Sequence, residues 1–189
     1  MPDALALLKT RRSVKPDQLQ GPPPSAADLD TMLTIAARVP DHGKLVPWRF
    51  IVFEGDHREE AGAAIASAYA AKYPDASGDQ IYFETNRLAR APLVVGVVSS
   101  PVESAKIPAV EQQLSAAAAA QNLLLAAHAL GYAACWLTEW YAYDAQVARA
   151  FGLDDHEKFI GFVHIGRFDG TPEDRPRPKL ADIVTRFEA

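Results

Sequence analysis

The segment from about Pro108 to Leu130, which includes SAAAAAQNLLLAAHAL, constrains this chain more than any other stretch. It reads as one long helix, closed by Gly131 as a C-terminal cap. The helix is apolar almost all round, so it should be central. Alanine dilutes the run, and Gln121, Asn122 and His128 interrupt it. It therefore reads as a buried helix, not a membrane span. A chain of 189 residues is long enough to bury it in a single domain covering 1–189.

The rest of the chain supplies helices and a few strands. Asp3 caps a short helix whose apolar face is Leu5 and Leu8, ending near Thr10. LQGPPPS follows, and its three prolines exclude a helix. Ser25 caps a second helix, with Asp28 completing a weak capping box. Leu29, Met32, Leu33 and Ala36 recur there at helical spacing, and Pro40 ends it. WRFIVFEG (Trp48 to Gly55) reads as a strand. A helix from Arg58 to about Tyr73, a looser YPDASGDQ and a further helix up to Arg90 come next. LVVGVVSS, opened by Pro92, is a continuous apolar run of the kind found in strands covered on both faces. AACWLTEW is a short apolar piece. Asp144 caps a helix ending at Phe151-Gly152, and KFIGFVHIGRF is another strand. The tail, GTPEDRPRPKLADIV, is rich in proline and charge with a short helical end. Few strands among many helices predict one sheet covered by helices, α+β or α/β.

Several function classes drop out. A net charge of −5 argues against a general nucleic-acid binder, which needs a basic footprint. A single cysteine, Cys135, excludes an intrachain disulfide and fits a reducing compartment. MPDALALLKTRR has an acid before its short apolar run and bases after it, the wrong polarity for a signal peptide. The expectation is a soluble cytoplasmic protein. There is no GxSxG, no GxGxxG after a strand, and no HExxH or CxxC. Cys135 sits among apolar residues with no nearby base, as a small core residue does.

Three stretches remain as candidates. RRSVK carries Arg11, Arg12, Ser13 and Lys15 just past a helix end. Arginine offers a planar fork of donors suited to phosphate, and serine adds a hydroxyl. RPRPK carries Arg175, Arg177 and Lys179 in a proline-stiffened segment. Each cluster alone reads equally as a phosphate cradle or as solvated surface. RVPDHGKLVPWRF (Arg38 to Phe50) is a turn after a helix, in which His42 is a switchable donor or simply a solvated side chain beside a capping Asp41.

In combination, and in this order, the motifs resemble the nitroreductase family of FMN-dependent oxidoreductases. The features are RRSVK, then VPDHGKLVPWRFIVFEG, the Ala-rich central helix, and HIGRF before RPRPKLADIV. PDH followed by PW is similar to the small YdjA-like subgroup. The resemblance implies an α+β fold, a central, mostly antiparallel sheet flanked by helices, in an intertwined homodimer with FMN at the subunit interface. By position, Arg11, Arg12 and Ser13 would hold the FMN phosphate and ribityl chain, with Lys15 helping and Arg177 reaching the same phosphate. Arg38 and His42 would come from the other subunit and border the ring. Cys135, Trp136 and Leu137 would lie along the isoalloxazine, with Thr138 and Glu139 close by. No metal is implied. The implied reaction is a ping-pong hydride transfer from NAD(P)H to a nitroaromatic or quinone-like acceptor, centred on the flavin N5 with no catalytic side chain required. Glu139 and Trp140 stand where the family often has a glycine near N5, so a bulky Trp140 would narrow the pocket. The rivals are a same-fold enzyme of reductive dehalogenation or flavin fragmentation, a non-catalytic FMN-binding protein, and a hydrolase using Ser13 and His42.

Overall fold

The computed structural model describes residues 3–188, so Met1, Pro2 and Ala189 of the expected domain lie outside it. A four-stranded sheet organises the chain, in the order β1-β2-β4-β3. The strands are β1 (Trp48–Glu54), β2 (Leu93–Ser99), β3 (Ala133–Leu137) and β4 (Lys158–Gly166). Every neighbouring pair is antiparallel. All of β2 is buried, because helices cover both faces of the sheet.

The helices are α1 (Ala4–Thr10), α2 (Ala26–Ala36), α3 (His57–Lys72), α4 (Gly78–Thr85), α5 (Ala109–Ala129), α6 (Ala145–Ala150) and α7 (Leu180–Ile183). On one face, α2 and α5 pack Met32, Leu123 and Ala127 against Leu93, Val95, Val97, Val163 and Ile165. On the other, Ile65, Leu88, Tyr141 and Val147 pack against Phe53, Val94, Val98 and Phe162. The alternation along β2 is the period-two signature of a strand with two apolar neighbours. Ala116, Ala119 and Ala120 of α5 are fully buried, and their small size lets the helix lie close to the strands. Its N-terminal half is not enclosed: Val110 and Leu114 are exposed. The helix is central to one layer rather than surrounded.

The caps form as the residue types dictate. Asp3 accepts from the Ala6 N–H, Ser25 from Asp28 and Asp144 from Gln146 and Val147. Gly131 follows α5 at φ +85°. Asp28 departs from expectation, because its carboxylate takes the Tyr132 hydroxyl at 2.8 Å instead of closing a capping box. The reciprocal box sits in the stretch expected to be loose: Ser77 and Gln80 cap each other's backbone and start α4 at Gly78. AACWL is an edge strand. Its partner β4 turns past it at Gly161, where φ is +147° and the Trp136 indole fills the space a side chain would need.

Arg49 of β1 ties the sheet to the loop before β4. Its Nε donates to Glu157 at 2.7 Å and its Nη2 to the Gly152 carbonyl at 2.9 Å. The Glu157 side chain is 3% exposed, and the Arg49 hydrogen bond is the main reason its carboxyl is held down at about 2. The folded state thus binds this proton less readily than the unfolded chain, whose carboxyl titrates near 4.5. The stability is fully present above about 4.5 and is lost as pH falls toward about 2. It amounts to about 2–3 kcal/mol, given that Arg49 is partly exposed. Urea midpoints measured across this window should fall steeply for the native protein and more shallowly for Glu157→Gln. Equal slopes would refute the assignment.

Candidate active site

The residues after α1 run beside the free edge of β3. Val14 is 2% exposed, and its N–H donates to the Ala134 carbonyl at 3.3 Å. Burying Val14 turns Ser13 and Lys15 outward, and both are exposed. The C-terminal tail returns to the same place. Arg12 Nε donates to the Glu173 carbonyl at 2.9 Å and stands 3.5 Å from the Asp174 carboxylate. Arg177 Nη2 donates to Asp174 at 3.0 Å.

Arg11 is half-buried and makes no side-chain hydrogen bond or ion pair among the described residues. Burial is the main reason it holds its proton less tightly than an ordinary arginine, and the charges of Arg177, Arg12 and Arg175 add to this. His128, in the last turn of α5, is pushed down to about 4 by burial and then by Arg11, so it is neutral at pH 7. Basic residues from opposite chain ends therefore share one neighbourhood, with more positive charge than its own acids neutralise. A groove of about 450 Å³ runs between Arg12, Ser13, Lys15 and the tail.

β3 supplies the second wall. Cys135 is buried, and burial pushes its thiol up to about 12, so it is a core group. The Trp136 indole donates to the Ile160 carbonyl at 3.2 Å. Leu137 is half-buried and Thr138 exposed. Since the Ala134 carbonyl points outward to Val14, strand alternation turns the N–H and C=O of Trp136 outward too. Among the described residues they have no partner there. Backbone at Trp136, rather than the Cys135 side chain, is what this strand offers a ligand.

After β3 the chain turns sharply and its side chains leave the edge. Glu139 accepts from Arg87 Nη1 at 2.7 Å, from the Arg90 guanidinium and from the Tyr141 hydroxyl at 2.9 Å. Burial is the largest single influence and would raise its carboxyl, but the contacts with Arg90, Tyr141 and Arg87 together outweigh it and keep the carboxyl below the usual range. Trp140 donates its indole N–H to Glu84 at 2.9 Å and packs near Tyr69 and Tyr141. Trp140 thus points toward α3 and α4. Sequence reasoning missed Glu84, Arg87 and Arg90. Only the i,i+3 spacing of Glu84 and Arg87 was visible, and Glu139 lies far along the chain.

Arg38 and His42 sit elsewhere. The Asp41 carboxylate accepts from the N–H groups of Leu45 at 3.0 Å and Val46 at 2.9 Å. That grip holds Lys44 at φ +56° and Val46 at φ +50°, and positive φ is an outlier for a β-branched residue. The loop is fastened to α5. Ser115 donates to the Pro40 carbonyl at 2.5 Å, Asn122 to the Arg38 carbonyl at 2.9 Å, and His42 Nδ1 lies 2.8 Å from Glu111. Both Arg38 and His42 are exposed. No hydrogen bond or ion pair among the described residues joins either side chain to the arginine cluster or to β3. One chain brings together Arg11, Arg12, Ser13, Lys15, Arg177 and the β3 edge, and leaves Arg38 and His42 apart.

No group of three or more metal-ligating side chains occurs among the described residues. No helix among them is long and apolar enough to cross a membrane.

Comparison with known proteins agrees with this geometry. Residues 8–167 match the model of the nitroreductase family. Escherichia coli K12 YdjA, provisionally named an NAD(P)H nitroreductase, is 36% identical over 165 residues, 87% of each chain. Among solved structures, a nitroreductase-like family protein from Bacillus cereus superposes with a TM-score of 0.85 over 100% of this chain and 98% of its own, at 22% identity. A Desulfovibrio desulfuricans protein provisionally named a nitroreductase and solved with FMN gives 0.75, covering 100% of this chain and 99% of its own, at 24% identity. In fold, an antiparallel sheet between helical layers, and in sequence over most of its length, this chain belongs to the nitroreductase family.

Proposed function

We propose that the chain is a single-domain FMN-dependent oxidoreductase that takes reducing equivalents from NAD(P)H and delivers them to nitroaromatic or quinone-like acceptors. The observation that carries this reading is Arg11, a half-buried cation with no partner of its own beside three further arginines. Such a cluster fits a phosphate dianion, whose oxygens would accept from guanidinium donors that the protein alone leaves unpaired. Arg11, Arg12, Ser13, Lys15 and Arg177 would hold that phosphate and its chain. The outward N–H and C=O of Trp136 fit the polar rim of a flat heterocycle, with Leu137 beside it. Bound there, FMN supplies ping-pong hydride transfer between the nicotinamide and the acceptor. The protein binds and orients it, and surplus positive charge nearby favours the anionic reduced form. Trp140 is committed to Glu84, which removes the support for a pocket plugged by that side chain. The similarity to YdjA supports NAD(P)H as the donor, and the fold likeness to an FMN complex supports the cofactor.

The working unit in this reading is a homodimer. Val110 and Leu114 of α5, Leu5 and Leu8 of α1, and Leu180, Ile183, Val184 and Phe187 of the tail are all exposed. Large apolar side chains left bare on α1, α5 and the tail are what a partner surface would cover. A second copy would cover them and bring Arg38 and His42 to the site.

The test is the visible spectrum. Purified protein, incubated with FMN and passed through gel filtration, should stay yellow at the mass of two copies. It should bleach when NADPH or NADH is added without oxygen. A colourless protein would overturn the proposal. A yellow protein that neither donor bleaches would leave only flavin binding.

A further inference from the structure

Two consecutive side chains of the turn after β3, Glu139 and Trp140, are locked to one short segment. Glu139 is held by Arg87, Arg90 and Tyr141. Trp140 is held by Glu84. Glu84 is itself gripped by Arg87, through Nε at 2.8 Å and Nη2 at 2.6 Å. Arg90 Nε is spent on the Arg87 carbonyl at 2.9 Å, which fixes the segment's own shape. Two carboxylates thus face two guanidiniums, and the Glu84 and Arg87 side chains are only 5% and 13% exposed.

Beneath the network lies His164, wholly buried with no hydrogen-bond partner at either ring nitrogen. Burial and then Arg90 keep it neutral, so it adds no competing cation. Buried ion networks of this kind contribute little net stability compared with apolar packing of the same volume. What they do supply is direction, since a guanidinium presents its donors in a rigid plane and so limits where its carboxylate partners can sit. The residue that this network orients adjoins Leu137 and Thr138, at the end of the free strand edge.

We propose that Glu84, Arg87 and Arg90 act through Glu139 as positioning residues, setting the β3 edge and the turn after it against the flat ring of the bound flavin. The inference rests on the flavin reading above. The arginine cluster serves the phosphate end, and the Glu84–Arg87–Arg90–Glu139 network serves the ring end. Loosening the network should weaken every ligand that carries the ring, with or without a phosphate.

The experiment is a pair of titrations, FMN and riboflavin, each followed by quenching of flavin fluorescence. Arg90→Lys keeps the charge and loses the fork. Arg87→Lys is its companion should the first variant fail to fold, and thermal melting of each apo variant establishes folding. Both dissociation constants should rise by the same factor, about tenfold, which is the worth of one well-aligned charged hydrogen bond. The riboflavin-to-FMN ratio should stay at its native value. A folded variant with both constants unchanged would overturn the proposal and leave the network a purely structural brace. So would a variant that loses only its preference for FMN, since that places the effect at the phosphate. Native protein that binds neither flavin would instead overturn the functional reading, and this inference with it.

Discussion

The Arg11→Ala, Arg177→Ala double variant should release FMN on gel filtration while melting at or slightly above the native temperature. Each guanidinium-to-phosphate contact is a charge-assisted hydrogen bond worth about 1.5–3 kcal/mol. Losing two corresponds to an affinity loss of about 100-fold to 10,000-fold. The apo protein should not suffer. Arg11 has no partner to lose, and its neighbours Arg177, Arg12 and Arg175 all disfavour its charge. A cation whose proton is held less tightly in the folded state opposes folding at neutral pH, so its removal is neutral or favourable. Arg177 loses only an exposed pair with Asp174, of the kind that contributes little. Fluorescence titration gives the affinity and circular dichroism the melt. Native FMN affinity in the double variant would sink the phosphate assignment.

Gly62→Ala should cost about 3 kcal/mol and lower Tm by about 6–12 °C. Helix propensity alone predicts the reverse, a gain of about 1 kcal/mol for alanine inside α3. Packing decides the sign. A Cβ on Gly62 would overlap the Thr85 carbonyl oxygen and stand 2.8 Å from its carbon. Those atoms are backbone at the end of α4, so no rotamer can swing clear and the two helices must separate. Glu84 precedes Thr85, so the shift would also reach the network under the β3 turn. A thermal melt checks the sign, and a variant as stable as the native protein would remove the close approach.

What the sequence made legible was local. Asp3, Ser25, Asp144 and Gly131 mark helix ends because a cap needs only the few residues beside it. LVVGVV declared a two-sided strand because burial on both faces leaves no polar position. β3 did not declare itself. It is short and lies at an edge, and Ala133, Ala134 and Cys135 carry no strong strand preference. The capping box at Ser77 was hidden in a stretch of turn formers. For the site, the residue types in RRSVK and RPRPK suggested phosphate, but their meeting is a tertiary fact that no spacing encodes. Glu139 was legible only as a position near the ring, by resemblance. Its partners arrive from α4 and the segment after it, so its bonding direction lay outside any local reading. Roles for Arg38 and His42 still rest on a second copy of the chain.

The sheet has one further consequence. No two of its hydrogen-bonded strands are joined by a tight hairpin. β1 and β2 are separated by α3 and α4, β2 and β4 by α5, β3 and α6, and β3 and β4 by α6 and its loops. Every strand pairing must therefore close a long loop before it gains anything, which places the chain among slow-folding topologies. During synthesis β2 emerges well before its neighbour β4. A strand that is wholly buried in the finished fold must then wait, half-paired, for the last part of the chain, and that interval is when a newborn copy is most exposed to aggregation.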